Sequence, residues 1–221
     1  AVKVFWRLRL PRSLAAMVSG MALGVCGAVY QILFANPLAA PDIIGVSSGA
    51  SVGASVSILF FGGGLLTNTL LAFTGGLTAV GLALLLARGG DRRNTATFVL
   101  AGIAVNALAE AAVMFLKYAA DPNQQLAAID FWTMGSLAGI TREKILPTVL
   151  CVGFCGGLLF LLQRQITLLA LDPDEAALLG VDVDRMRHLV LIPAAYMAMM
   201  IPAFWGGKSL HHVLTVYLAQ A

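Results

Sequence analysis

The chain has 221 residues, of which 59% are hydrophobic and 11% are charged, and its formal net charge is +3. Soluble domains carry about 25% charged residues, so this composition excludes an ordinary soluble protein and indicates a membrane protein surrounded by lipid. The basic residues form no single surface run, which gives no indication of a nucleic-acid partner.

Six membrane spans are predicted from the uncharged intervals, because a spanning helix needs about 20 apolar residues. The interval 43–87 contains no charge and is too long for one crossing, but three consecutive glycines divide it. Polar residues in 117–144 predict a short helix at the membrane interface. The predicted fold class is all-α, a polytopic transmembrane helical bundle. Its spans are about residues 14–36, 43–61, 66–87, 95–116, 145–163 and 189–205, followed by an atypical tail at 206–221.

The stretch from Asn36 to Ser57 combines a proline break with a stripe of small residues. Its two prolines bias the residues before them away from the α region, and Asp42 then stands where a helix could begin. Small residues follow at four-residue spacing, which on a helix lets another helix approach closely: Gly45, Gly49, Gly53 and Ser57. This pattern predicts a close-packed helix, and a Gly/Ser-rich loop is the alternative.

Glu110 is the only acidic residue inside a predicted span, where a charge is costly and is expected to face protein or water. Asn106 lies one turn before it on the same helix face. The pair indicates either a helix that lines a transport path or a structural hydrogen bond between packed helices. An ion-coupled secondary transporter with Glu110 as its proton site is a hypothesis from a different functional class.

The segment 171–188 has the pattern of a helix, a break and a second helix. Asp172 can cap a first helix with Pro173 at its first position and Glu175 at its third, and Gly180 ends that helix. Two short helices joined at a glycine between spans indicate a rigid knob that docks in a groove of another protein. An ordinary amphipathic interfacial loop is the alternative.

The sequence contains no motif that supports catalysis or metal binding. It lacks a phosphate-binding glycine loop, a nucleophile elbow and the spacing of a His/Cys metal site. The three cysteines, Cys26, Cys151 and Cys155, lie in apolar stretches and are predicted to be unbridged, buried side chains. We therefore expect no enzyme activity, no metal site and no cofactor in this chain.

Charge alone does not decide the membrane orientation, because the two sets of loops carry nearly equal numbers of basic residues. If the loop that contains Arg88 is cytoplasmic, then the cluster Arg7, Arg9 and Arg12 lies outside, against the usual bias. That position indicates arginines that serve a partner rather than the topology.

Five segments, in this order and at compatible spacing, resemble the permease subunits of type II ABC importers, the FecCD and BtuC type that carries iron–siderophores, haem or vitamin B12. They are LRLPRSLAAMVSGMALGVCGAVYQ (8–31), NPLAAPDIIGVSSGASVGA (36–54), FVLAGIAV (98–105), FWTMGSL (131–137) and LDPDEAALLGVDV (171–183). The resemblance implies a homodimer of all-helical permeases, with about ten helices each, on two cytoplasmic ATPases that bind ATP and Mg²⁺. It also implies an extracytoplasmic binding protein that delivers the ligand.

The resemblance further implies roles for individual residues. Arg9 and Arg12 match basic positions that dock the binding protein. A second set matches the coupling helices, here at 172–188, that contact the ATPase: Glu175, Ala176, Leu179 and Gly180. A third set lies on a helix that lines the translocation path in the family: Thr95, Asn106 and Glu110.

The leading hypothesis is a permease subunit in a bacterial or archaeal cytoplasmic membrane that moves an iron–siderophore-type chelate inward. Molybdate or tungstate, vitamin B12 and haem are the alternative substrates. The family's first helix is expected before Lys3 and its last three after Ile201, where PAFWGGKSLHHVLTVYLAQA replaces the family pattern. A truncated or frameshifted product, which would be a non-transporting remnant, is therefore a further hypothesis.

Overall fold

A computed structural model describes residues 5–36, 39–87, 95–135, 140, 142–171, 173–180 and 183–205. Every regular element in these ranges is helical, which confirms the predicted all-α class. The α-helices are α1 Leu10–Leu33, α2 Val46–Phe61, α3 Leu65–Ala87, α4 Thr95–Ala119, α5 Gln125–Met134, α6 Arg142–Leu161, α7 Gln163–Leu168, α8 Pro173–Leu178 and α9 Val183–Trp205. A π-helical turn, Phe5–Arg9, leads into α1, and a 3₁₀ turn, Pro41–Ile44, precedes α2. The predicted tail 206–221 and Asp172 lie outside the described residues.

Helices α2 and α3 pack with their backbones in contact. A Cβ atom built on Gly53 would lie 1.8 Å from the carbonyl oxygen of Leu71, and one built on Gly49 would lie 2.6 Å from the carbonyl oxygen of Gly75. Because residue numbers rise along α2 as they fall along α3, the two helices run antiparallel. Their interface leaves no room for side chains at these positions, as in other membrane helix pairs that meet through small residues.

The buried serines of α2 are partly satisfied on their own helix. The Ser51 hydroxyl donates to the carbonyl oxygen of Ser47 at 2.9 Å, and the Ser55 hydroxyl donates to that of Ser51 at 2.7 Å. Such bonds to the preceding turn remove the need for an external partner. This local satisfaction lowers the cost of burying Ser51 and Ser55 in an apolar bundle.

Helix α9 packs against both α1 and α3. The Cys26 thiol of α1 donates a hydrogen bond to the carbonyl oxygen of Ala194 in α9, at 3.2 Å. On the other flank, the side chain of Met199 fills the space above Gly76, where a Cβ atom would lie 2.9 Å from the Met199 sulfur. The small residues of α1 and α3 therefore set the position of α9.

The helix ends fall into two groups on opposite sides of the bundle. On one side, the Phe34 ring beyond the end of α1 lies 6.5 Å from the ring of Phe98 near the start of α4, and Arg187 near the start of α9 lies over Phe98. On the other side, the Gln125 side-chain amide of α5 donates to the carbonyl oxygen of Leu59 near the end of α2, at 3.3 Å. We call the first the break side, because the chain between α1 and α2 is irregular there, and the second the α5 side.

Three helices in the described ranges are long and apolar enough to cross a membrane: Leu10–Leu33, Leu65–Ala87 and Thr97–Ala119. Two apolar helices are shorter: Val46–Phe61 and Ile145–Leu161. The predicted helix at the interface corresponds to α5 in position along the chain.

The boundary predicted between a coupling helix and the sixth span is wrong. The residues after Gly180 that the sequence assigned to a second short helix are the first turns of α9, which runs without interruption from Val183 to Trp205. No glycine or proline occurs between Val183 and Ile192, so nothing in that part of the chain stops the helix.

Candidate functional site

The chain breaks between α1 and α2 at two residues with positive φ. Ala35, with φ +44°, follows α1, and Gly45, with φ +77°, precedes α2. Between them, Pro41–Ile44 forms one 3₁₀ turn, and the Asp42 carboxylate accepts a hydrogen bond from the Ser47 hydroxyl. The helix predicted to start at Asp42 is therefore a 3₁₀ turn, because the left-handed backbone at Gly45 separates it from α2. We call the described residues between α1 and α2, 35–36 and 39–45, the break.

Gly45 does not belong to the predicted helical stripe, because it precedes the first residue of α2. Gly49, Gly53 and Ser57 lie within that helix and are buried. Gly45 instead approaches α4, where a Cβ atom built on it would lie 3.3 Å from the backbone nitrogen of Asn106. Both its positive φ and this contact favour glycine, so the spacing of four reflects two separate requirements.

The break lies well inside the bundle. A Cβ atom built on Gly102 of α4 would lie 2.3 Å from the carbonyl oxygen of Ile43. Gly102 stands about 10 Å along α4 from Thr95, at 1.5 Å per residue. Irregular backbone at membrane depth is tolerated only where protein buries it or water reaches it. Ala39 and Ile44 are both 3% exposed, so protein buries these parts of the break.

The predicted translocation residues are spread along α4. The Asn106 side-chain oxygen accepts a hydrogen bond from the Ser48 hydroxyl and so joins α4 to the start of α2. Glu110 lies one turn further along and is exposed on the surface of the single chain. Thr95 is the first residue of α4. The structure therefore places Asn106 in a contact between helices and Glu110 on an outer face.

Helix α8 presents apolar side chains on the break side, where α9 begins. Leu178 is 89% exposed and Leu179 is 62% exposed, whereas Ala176 is buried. Glu175 is also exposed, and its carbonyl oxygen accepts a hydrogen bond from the Leu179 amide at 3.3 Å. Gly180, with φ +76°, follows. This arrangement is a short helix with Ala176 buried, and its last residue, Leu178, and the next residue, Leu179, are exposed.

The predicted binding-protein residues lie at the opposite end of the bundle. The 24 residues of α1 span about 36 Å, so its start is on the α5 side. Arg9 is exposed there and Arg12 is half-buried. The first turn of α1 carries no acidic residue.

An apolar groove of about 390 Å³ opens between α6 and α9. Cys151 and Cys155 line it together with Phe154 and Tyr196, and its lining contains no charged residue. The three cysteines are free thiols; Cys26 and Cys155 are buried as predicted, whereas Cys151 is half-buried. No group of three or more His, Cys, Asp or Glu residues suited to a metal ion occurs among the residues that the structure describes.

Several residues that shape these surfaces were not identified from the sequence. Gly75 and Gly102 provide the close approaches to α2 and to the break, and their partners are far away in the chain. Ser48 has no sequence pattern that distinguishes it from the other serines of α2, although it bonds to Asn106. Leu178 is the most exposed apolar residue of α8. The sequence signal for Leu178 was its place in a pair of adjacent leucines directly before Gly180.

Comparison with known proteins relates the whole chain to one group of membrane proteins. A profile of the FecCD transport family matches residues 1–207. The molybdate import system permease protein of Haemophilus influenzae is 35% identical over 219 residues, which cover 96% of this chain and 64% of that protein. The ferric enterobactin transport system permease protein of Escherichia coli is 35% identical over 96% of this chain and 64% of its own length. The hemin transport system permease protein of Yersinia pestis is 40% identical over 87% of this chain and 58% of its own length.

A solved structure agrees with these relatives. It is described as an inward-facing conformation of a metal-chelate type ABC transporter, and it matches 92% of this chain and 65% of its own chain with a TM-score of 0.86 and 33% identity. The chain thus spans less than two thirds of the length of the three relatives and of this structure. Since the family profile covers nearly all of its residues, the chain belongs to the FecCD transport family.

Proposed function

We propose that this chain is the membrane permease subunit of an ABC importer that carries an iron–siderophore or similar metal chelate inward. A separate cytoplasmic ATPase binds ATP and Mg²⁺ and supplies the energy, so the chain itself is not an enzyme. An extracytoplasmic binding protein delivers the chelate. A second copy of the chain completes the path across a bacterial or archaeal cytoplasmic membrane.

The observation that carries the proposal is that this member of a permease family presents exposed side chains for different partners at opposite ends of its helical bundle. The exposed leucines at the end of α8, Leu178 and Leu179, lie on the break side, which we assign to the cytoplasm and the ATPase. Arg9 and Arg12 lie at the other end of α1, which we assign to the binding protein. The break begins at the end of α1, on the side that we assign to the ATPase, and continues into the bundle. Its irregular backbone therefore lies between the proposed ATPase and the α5 side.

The proposed substrate is an iron chelate, supported by the names of relatives. Of the three relatives described above, one is named for ferric enterobactin, and the other two are named for hemin and molybdate. Vitamin B12 permeases of Vibrio cholerae and other bacteria are also similar to this chain. Molybdate, tungstate, vitamin B12 and haem are therefore the competing outcomes of any substrate test.

The proposal is tested by the ATP hydrolysis of the assembled importer. The permease, expressed from its complete gene, is reconstituted with its ATPase and binding protein in lipid vesicles. We expect the binding protein loaded with a ferric chelate to stimulate ATP hydrolysis above the rate with the empty binding protein. Stimulation by molybdate or vitamin B12 alone would show that the substrate is not a ferric chelate. No stimulation by any ligand would reject the proposal that the chain belongs to an importer.

Reversing the charges of Arg9 and Arg12 is expected to weaken docking of the binding protein by about tenfold or more at low ionic strength. Glutamate at the start of α1 suits the helix dipole, so the double variant is expected to remain folded. The loss shrinks at high salt, where exposed charges are screened. Affinity is measured with the permease in lipid nanodiscs, and Arg164→Glu, an exposed arginine of α7, is the control. Unchanged affinity at low salt would contradict the assignment.

Glu110 distinguishes the ABC importer from an ion-coupled secondary transporter. We expect Glu110→Gln, which keeps the shape of the side chain, to leave the amount of chelate moved per ATP unchanged. Any loss of uptake is expected to be matched by an equal loss of stimulated ATP hydrolysis. Both rates are measured in the same vesicles, with and without a proton ionophore. Uptake that disappears while ATP hydrolysis stays stimulated would favour Glu110 as a proton site.

A further inference from the structure

The turn between α2 and α3 is made entirely of apolar residues and glycines. It reads FFGGGLL over residues 60–66, so no polar side chain occurs in it. Its large side chains are between 54% and 72% exposed: Phe60, Phe61, Leu65 and Leu66. Single exposed apolar residues are ordinary, whereas a group of them on one turn marks a surface that another apolar material covers. We call residues 60–66 the apolar tip.

The backbone of the apolar tip finds hydrogen-bond partners within its own hairpin. The Gly63 amide donates to the carbonyl oxygen of Ser57 at 3.2 Å. The Asn68 side-chain amide donates to the carbonyl oxygen of Gly63 at 3.2 Å, and the Thr67 hydroxyl donates to that of Gly64 at 2.9 Å. A turn in water can bond its carbonyl groups to solvent, but a turn in lipid must satisfy them with protein groups. The two polar side chains that follow the tip meet this second requirement.

The length of α3 places the apolar tip near the edge of the hydrocarbon layer. The helix has 23 residues without a charge, from Leu65 to Ala87, and therefore spans about 34 Å. The hydrocarbon core of a bilayer is about 30 Å thick. A charge-free helix of this length that crosses the core has its ends near the two boundaries. The side chains of the tip are therefore within reach of the boundary between headgroups and acyl chains.

The neighbouring turn between α4 and α5 has the opposite polarity. The two turns adjoin, because Ile58, Ala120 and Ile129 form one buried cluster beside them. In the α4–α5 turn, the Asp121 carboxylate accepts a hydrogen bond from the Asn123 amide at 2.8 Å, and both residues are exposed. Two adjacent turns of such different composition indicate different surroundings, water for the polar turn and lipid for the apolar tip.

We propose that the apolar tip inserts into the lipid leaflet on the α5 side and anchors the α2–α3 hairpin at the boundary between headgroups and acyl chains. The partner is the lipid surface rather than the binding protein, because a protein interface carries polar groups around its apolar contacts, whereas the tip presents no polar side chain. The other end of α2 adjoins the break, so the anchor holds the helix that enters the middle of the bundle. The inference does not depend on the cargo or on the direction of transport.

Fluorescence quenching tests where the apolar tip lies. The probe nitrobenzoxadiazole is attached to Phe61→Cys or to Leu66→Cys, in the permease expressed from its complete gene with its native cysteines replaced by alanine. The protein is reconstituted in vesicles of phosphatidylcholine and phosphatidylglycerol, with iodide on both sides of the membrane. We expect a lipid quencher near the headgroup to quench either probe at least about twofold more than one at the end of the acyl chain, and iodide to quench it little. The control, Asn123→Cys in the polar turn, is expected to be quenched mainly by iodide.

Three results would overturn the inference. Quenching by iodide at 61 and 66 as strong as at 123 would place the apolar tip in water. Protection from both quenchers would show that protein covers it, either a second copy or another part of the complete chain. Exposure to iodide that disappears only when the binding protein is added would assign the tip to docking.

A charged variant shows whether the apolar side chains hold the tip in lipid. With the probe at Leu66→Cys, we expect Phe61→Asp to reduce quenching by the lipid quencher to the level of the Asn123→Cys control, because a carboxylate is unfavourable in the acyl region. Phe61→Leu keeps an apolar side chain and is expected to leave the lipid quenching unchanged. Equal lipid quenching in the aspartate and leucine variants would contradict the anchor.

Discussion

Replacing Gly53 with alanine is expected to lower the free energy of unfolding by about 2–3 kcal/mol, in the upper part of the range for overpacked cores. The new methyl group would lie 1.8 Å from the carbonyl oxygen of Leu71, and backbone atoms cannot move aside as a flexible side chain can. Helices α2 and α3 must therefore separate along their contact. Gly49→Leu is expected to act in the same direction and more strongly. Stability is measured by unfolding in mixed detergent micelles.

The matched control for this prediction is Gly81→Ala, in the same helix pair. A Cβ atom on Gly81 meets no atom within 4 Å, so alanine there is expected to be neutral or to stabilise α3 by up to about 1 kcal/mol. The comparison separates overpacking from the general effect of replacing glycine in a helix. A Gly53→Ala variant as stable as Gly81→Ala would show that the two helices do not meet through their backbones.

Replacing Leu178 at the end of α8 and the adjacent Leu179 with aspartate is expected to weaken binding of the proposed ATPase by about 30-fold or more, the loss typical of removing an interface hot spot. Leu178 and Leu179 are exposed, so their replacement removes apolar contact area from the partner and leaves the helical bundle packed. The permease in nanodiscs is titrated with its ATPase, and stimulated ATP hydrolysis is followed in parallel. Thermal stability is expected to stay unchanged.

Two variants serve as controls for the α8 prediction. Leu178→Met with Leu179→Met keeps apolar side chains of similar volume and is expected to bind the ATPase nearly as the wild type does. Gln163→Asp adds a negative charge at an exposed site in α7, outside α8. If the double aspartate variant binds the ATPase with wild-type affinity, α8 is not the docking surface.

The α2 helix shows how far the sequence predicts the fold. Four small residues at a spacing of four indicated a helix with a bare face, and Gly49 and Gly53 lie on that face. The partner helix was not predictable, because Gly75 has no local pattern that links it to Gly49. The spacing of four assigned Gly45 to the helix. The proline, the aspartate and the apolar residues before it did not argue against this, because they are compatible with either a helix or a 3₁₀ turn. The positive φ of Gly45 and its close approach to α4 became visible only in the folded structure.

The candidate site was predicted where short-range signals were strong. Pro173 and Gly180 delimited α8 because each has a definite backbone preference. The uninterrupted α9 was missed because its first turns are charged, and charge near a membrane span resembles an interfacial loop. The contacts that join Arg187, Phe98 and Phe34 were not predictable, since these three residues are distant in the sequence.

Uptake of a radiolabelled ferric chelate into vesicles tests the central claim most directly. The vesicles contain the permease expressed from its complete gene, with its ATPase, and receive the loaded binding protein on the opposite face from ATP. The proposed function predicts accumulation that requires ATP and the binding protein, persists without an ion gradient, and is not reduced by excess molybdate or vitamin B12. Accumulation of molybdate instead would contradict the substrate, and the absence of any ATP-dependent accumulation would contradict the importer itself.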